Sequence, residues 1–140
     1  MSHVLTWPAV QEHYSIDVTI GGIAVSAMVD TGLIDPMQQV GFELPPDLFE
    51  RLVHSNLLRD ITSRTRRDAS GRKTQMYVGT AEVRLTSPGT AIPVGPEIVV
   101  SVARSFVGLP ARVGLEFFHQ LPGCQVLWDC VAKTWTVSLA

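Results

Sequence analysis

The sequence predicts a mainly β single domain with short helices. Three observations carry that expectation: apolar and polar residues alternate over several short stretches, Gly- and Pro-containing turns separate them, and no repeat or linker interrupts the chain. With 140 residues, 46% of them hydrophobic and 17% charged, the chain can bury a core without metal or disulfide support. Residues 1–13 read as an N-terminal arm and residues 14–140 as the one domain.

The first strand is YSIDVTI, where Tyr14, Ile16, Val18 and Ile20 alternate with Ser15, Asp17 and Thr19. Gly21-Gly22 suits a tight hairpin turn because glycine accepts positive φ. The return strand, IAVSAMV, ends at Asp30, and Gly32 lets the backbone turn sharply beyond it. From Pro45, the stretch PPDLFERLVHSNLL predicts a short helix: it has prolines at its start, Asp47 in the first turn, and Leu48, Leu52 and Val53 on one face. Ser70-Gly71 then reads as a turn between two extended arms.

GTAEVRL alternates Ala81, Val83 and Leu85 against Thr80, Glu82 and Arg84, and is followed by a turn at Ser87-Pro88-Gly89 and the apolar run IVVSV. ARVGLEFFHQL supplies Val113, Leu115, Phe117, Phe118 and Leu121 for a short packed helix, with Gly114 allowing close approach to another backbone. The chain closes as a hairpin: VLWDC, a turn around Val131 to Lys133, and TWTVSL with Trp135, Val137 and Leu139 on one face. Trp128 and Trp135 are expected in the core or an interface.

Several function classes lack support. A formal charge of -2 gives no overall attraction to nucleic acid or membrane. Six basic residues, Arg59, Arg64, Arg66, Arg67, Arg72 and Lys73, face two acids over residues 59–73, but no aromatic residue is interleaved with them, so a solvated loop is expected. The histidines, at 3, 13, 54 and 119, are scattered, and Cys124 and Cys130 form neither a metal-ligand pattern nor a disulfide framework. Two reduced, partly buried thiols are expected. No nucleophile elbow or phosphate loop occurs, so neither cofactor nor metal is expected. The first 15 residues lack a secretion-signal pattern and no run reaches 18 apolar residues, which predicts a cytoplasmic location without membrane association.

The chemistry-bearing motif is Asp30-Thr31-Gly32 at the end of an apolar strand. Together with Ala27-Met28-Val29 before it, the turn-like Gly71, and Val113-Gly114-Leu115-Glu116-Phe117-Phe118 near the end, it resembles the retropepsin-like aspartic proteases over about Tyr14 to Leu139. The resemblance implies a closed β barrel with short helices, one lobe per chain, and an active site at a homodimer axis. It implies Asp30 as the catalytic acid or base, with Thr31 and Gly32 supporting the loop. Gly71 would lie in a mobile flap and Gly114 in a helix packed behind the site. The implied reaction is hydrolysis of an extended polypeptide by water activated between two carboxylates that share a proton.

No other aspartate in the chain is followed by Thr-Gly or Ser-Gly: Asp17, Asp35, Asp47, Asp60, Asp68 and Asp129 all have other neighbours. The second carboxylate is therefore expected from Asp30 of another copy. Leu33 departs from the small residue usual after the triplet and either fills a pocket or moves the loop outward. Glu116 is a milder difference, at a position where the family has aspartate or a similar polar residue. The alternative function is a catalytically inactive dimeric peptide-binding or scaffold domain.

Overall fold

The computed structural model describes residues 3–9, 13–33, 40–67, 70–87, 90–93, 98–103 and 108–139. Among the described residues, twelve strands and two helices follow in the order β1 (His3–Pro8), β2 (Ser15–Ile20), β3 (Ile23–Val29), β4 (Val40–Glu43), α1 (Pro46–His54), β5 (Arg59–Arg67), β6 (Lys73–Ala81), β7 (Val83–Ser87), β8 (Thr90–Pro93), β9 (Ile98–Ala103), β10 (Arg112–Val113), α2 (Leu115–His119), β11 (Gln125–Asp129) and β12 (Thr134–Leu139). The two halves of the N-terminal hairpin pair from Ser15↔Met28 to Ile20↔Ile23. Gly21 and Gly22 turn it with φ of 57° and 85°, the two positive angles that a two-residue hairpin loop of this hand requires. Within the N-terminal arm, residues 3–8 form β1 and pair with β12.

The strands do not close into a barrel. Nine of them form one open sheet in the order β5-β6-β9-β4-β10-β3-β2-β7-β8, and β1-β12-β11 form a separate three-stranded sheet. A closed ring would need β5 to pair with β8, and among the described residues these are the two edges of the larger sheet. The strands at the two chain ends pair with each other instead of bridging those edges. Most neighbours are antiparallel; β3 with β10 and β4 with β9 are parallel.

The alternation read across residues 79–85 holds in burial, since Ala81, Val83 and Leu85 are buried while Glu82 and Arg84 are exposed. It spans two strands, however. At Glu82 the chain leaves β9, the partner of β6, and as β7 pairs with β2. The Pro88-Gly89 part of the expected turn, together with Asp35 and Asp68, lies outside the described residues.

Helix α1 begins after Pro45 with Pro46 in its first turn, where a missing N–H costs nothing, and it buries Phe49 and Leu52. It ends in a Schellman arrangement: Asn56 has φ of 55°, and the N–H groups of Asn56 and Leu57 donate to the carbonyls of Val53 and Leu52. The apolar set expected on one helix near residue 115 is divided, with Val113 on β10 and Leu115 exposed on α2.

Phe117 and Phe118 of α2 tie the core together. Phe117 meets Phe42 edge-on at 4.7 Å, Phe118 lies 5.9 Å from Trp135, and Trp135 lies 6.1 Å from Trp128. Ring pairs at these separations add to the energy of burial itself. Trp135 is buried, whereas Trp128 on edge strand β11 is 54% exposed. Neither cysteine is in a disulfide; Cys124 is partly buried, which raises its thiol pKa through desolvation, and Cys130 is exposed. Among the described residues, no helix is long and apolar enough to cross a membrane.

Candidate active site

The strand period places the candidate acid. Along β3, Val25 and Ala27 are buried and Ala24 and Ser26 exposed, so Met28 and Asp30 fall on the open face. Neighbouring β10 sits in register with β3 at Arg112↔Met28 and with β4 at Arg112↔Glu43. One position along, Val113 aligns with Val29 and with Phe42, and these three turn toward the core. Met28, Arg112 and Glu43 therefore form a row across three strands, beside Asp30.

Asp30 is held from several sides. Its N–H donates to the Val113 carbonyl at 2.9 Å, and its own carbonyl accepts from the Leu33 N–H at 3.1 Å, closing the turn. Its carboxylate Oδ1 accepts from the Gly32 N–H at 2.9 Å. Oδ2 accepts from Arg112 Nη1 at 2.7 Å, and the other arm of the same guanidinium, Nη2, donates to Glu43 Oε2 at 2.7 Å. Asp30 and Arg112 are about a quarter exposed; Glu43 is 1% exposed.

Behind the loop lies Gly114. Its backbone is ordinary extended chain, with φ of −98° and ψ of 172°, so conformation alone does not demand glycine. Space does: a Cβ there would sit 2.8 Å from the Leu33 carbonyl oxygen and 3.3 Å from Leu33 Cβ and Cγ. On the opposite side the Gly114 N–H donates to the Gly41 carbonyl at 3.0 Å.

Leu33 is buried, 9% exposed, so its side chain fills space against Gly114. Replacing it with alanine is expected to cost about 2 to 4 kcal/mol of stability, the usual range for emptying a buried leucine site. Urea unfolding measures this, and a change below about 0.5 kcal/mol would mean that Leu33 contributes no packing.

The structure thus brings together Asp30, Thr31, Gly32, Leu33 and Gly114. Thr31 and Gly32 are exposed. Gly71 stands apart at the tip of the β5–β6 hairpin with φ of 82°, and nothing outside its chain neighbours lies within 4 Å of where its Cβ would be. Arg67 Nη1 donates to the Gly71 carbonyl at 3.0 Å across that tip. Glu116 lies on α2, 3.7 Å from His119.

Arg112 and Glu43 are the site residues that sequence reasoning missed. A signal existed for each: Glu43 is the one charge in the otherwise apolar run VGFEL, and Arg112 immediately precedes the Val113-Gly114 pair. Glu43 does not complete a dyad with Asp30, because the Arg112 guanidinium stands between the two carboxylates and donates to both. Among the described residues, no group of three or more His, Cys, Asp or Glu could hold a metal ion.

No family model and no curated protein matches the chain. Among solved structures it is similar to a retropepsin-like aspartic protease from Rickettsia conorii, with 13% sequence identity and a TM-score of 0.62 over 99% of this chain and 93% of that one. It also aligns with the retroviral protease-like domain of Ddi1 from Leishmania major at 19% identity, covering 89% of this chain and 82% of that one, with a TM-score of 0.44. The near-complete overlap with the first of these, together with the Asp30 loop packed on Gly114, gives this chain the retropepsin-like fold.

Proposed function

We propose that the chain is an aspartic endopeptidase that works as a homodimer. The observation that carries this reading is the Asp30 loop: a carboxylate at a strand end, oriented by the Gly32 N–H, in a turn packed against Gly114. Peptide hydrolysis needs a base to take a proton from water and an acid to protonate the carbonyl oxygen. Two carboxylates sharing one proton supply both functions. One chain offers a single such aspartate, so two copies meet with their Asp30 residues at the two-fold axis.

In that dimer Thr31 hydrogen-bonds across the axis and holds the two loops rigid, while Gly32 keeps its N–H on the carboxylate. The β5–β6 hairpin serves as a flap, with Gly71 in its turn, and closes over substrate to exclude water. An extended polypeptide adds to the sheet edges by main-chain hydrogen bonds, with pockets sorting its side chains. No cofactor takes part.

A second reading has its own observation. The intrachain pair between Asp30 and Arg112 already occupies one carboxylate oxygen, which suits a noncatalytic dimeric peptide-binding or scaffold domain. Digestion of a diverse peptide library from acid to neutral pH, with titration by a peptide mimic bearing a central hydroxyl, separates the two. The peptidase reading expects cleavage that stops at one mimic per two chains. A dimer that binds peptides and cuts none of them at any pH would establish the second reading.

A further inference from the structure

We propose that Arg112, anchored by Glu43, is a positioning residue for the Asp30 carboxylate; the kinetic part of this inference rests on the peptidase reading. Glu43 is a carboxylate at 1% exposure, and it accepts from Arg112 Nη2 at 2.7 Å. A charge so deeply placed is tolerated when a cation faces it directly. That bond fixes one arm of a planar guanidinium, and planarity then dictates where the other arm points. The other arm, Nη1, meets Asp30 Oδ2 at 2.7 Å while the Gly32 N–H meets Oδ1 at 2.9 Å.

The carboxylate is thereby held at both oxygens, by the loop backbone on one and by a neighbouring strand on the other. The Gly32 contact alone leaves the carboxylate free to swing about its Oδ1 anchor. The Arg112 contact removes that freedom. For a group that must exchange protons with both water and substrate, orientation sets the rate, and a displacement near 1 Å costs on the order of a hundredfold. The brace acts from the β4–β10 side of the sheet, so it sets the carboxylate before any peptide arrives.

The test uses the full chain carrying Arg112→Met together with Glu43→Leu, which removes the brace without leaving a buried charge. Arg112→Lys is the conservative variant, and sedimentation and circular dichroism establish that each variant is folded. The expected result for the double variant is kcat lower by about ten- to a hundredfold with KM within about twofold, and partial recovery in Arg112→Lys, whose point charge reaches Asp30 without the planar fork. Unchanged or raised kcat in a folded double variant overturns the proposal.

A second measurement needs no turnover. In a cycle of Asp30→Asn with Arg112→Met, both made on the Glu43→Leu background, the unfolding equilibrium constants are expected to depart from additivity by about fivefold or more. Additive effects overturn the proposal whatever the kinetics show. A wild type that cuts nothing sinks the peptidase reading alone, and the inference then stands or falls on the cycle.

Discussion

Asp30→Asn is expected to lower peptide cleavage by about 10³-fold or more while the dimer and the fold persist. Asparagine has the shape of aspartate but cannot take a proton from water at these pH values, and it breaks the pair that shares one proton between acid and base. Its effect on stability is small and calculable from the contacts. Today Oδ1 accepts from the Gly32 N–H and Oδ2 from Arg112. An asparagine keeps one of these two acceptors and turns the other into an NH₂ facing a donor, whichever way the amide is flipped. At a site about a quarter exposed, water relieves part of that mismatch, and a loss of about 1 to 2 kcal/mol is expected.

The same variant tests the subunit arrangement. Mixed with wild type in excess and re-equilibrated, it is expected to suppress activity beyond dilution, because each mixed dimer holds only one Asp30 carboxylate. Activity that merely dilutes would exclude a shared site, and retention of more than about a tenth of wild-type kcat in Asp30→Asn would exclude Asp30 as the acid–base group.

Much of this site is legible in the sequence because it is local. Asp30 follows an alternating strand, and the exposed and buried residues of β3 fall where a period of two puts them. The Gly21-Gly22 hairpin and the Ser70-Gly71 turn follow from residues that tolerate positive φ, and both glycines at 21 and 22 and the one at 71 adopt it. Partner choice is another matter. Alternation reports which face is buried and nothing about which strand lies alongside, so the switch at Glu82 and the open edges at β5 and β8 leave no mark on the pattern.

The Asp30–Arg112–Glu43 cluster is invisible for the same reason. Its members are 82 and 69 residues apart in sequence, and only the register of a two-residue strand between β3 and β4 brings them together. Leu33 shows the limit from the other direction. Its identity marks it as unusual, and only the neighbouring Gly114 shows that the added bulk has a place to go. The larger side chain and the missing one are two halves of a single packing arrangement.

That pairing makes Gly114 the most sensitive backbone position behind the loop. A Cβ at Gly114 would lie 2.8 Å from the Leu33 carbonyl oxygen, closer than carbon and oxygen pack, so one of the two segments must move. Gly114 cannot retreat easily, since its N–H is bonded to Gly41 of β4, and Val113 just before it and Phe117 three residues on are fully buried. The Asp30 turn therefore yields, and Leu33, bonded through its N–H to the Asp30 carbonyl, carries the carboxylate with it. Gly114→Ala is expected to cost about 1 to 3 kcal/mol from overpacking and to lower kcat by about ten- to a hundredfold. Gly114→Val, with two further methyl groups, is expected to unfold the domain at ordinary temperatures. Shortening the neighbour offers no escape: Leu33→Ala removes the 3.3 Å contact with Cγ and leaves the 3.3 Å contact with Cβ and the 2.8 Å backbone contact in place. Gly114→Ala combined with Leu33→Ala is therefore expected to regain little kcat, measured at a temperature where both variants are fully folded. Recovery to wild-type turnover in that pair would show that the glycine accommodates the leucine side chain alone and does not set the position of the Asp30 loop.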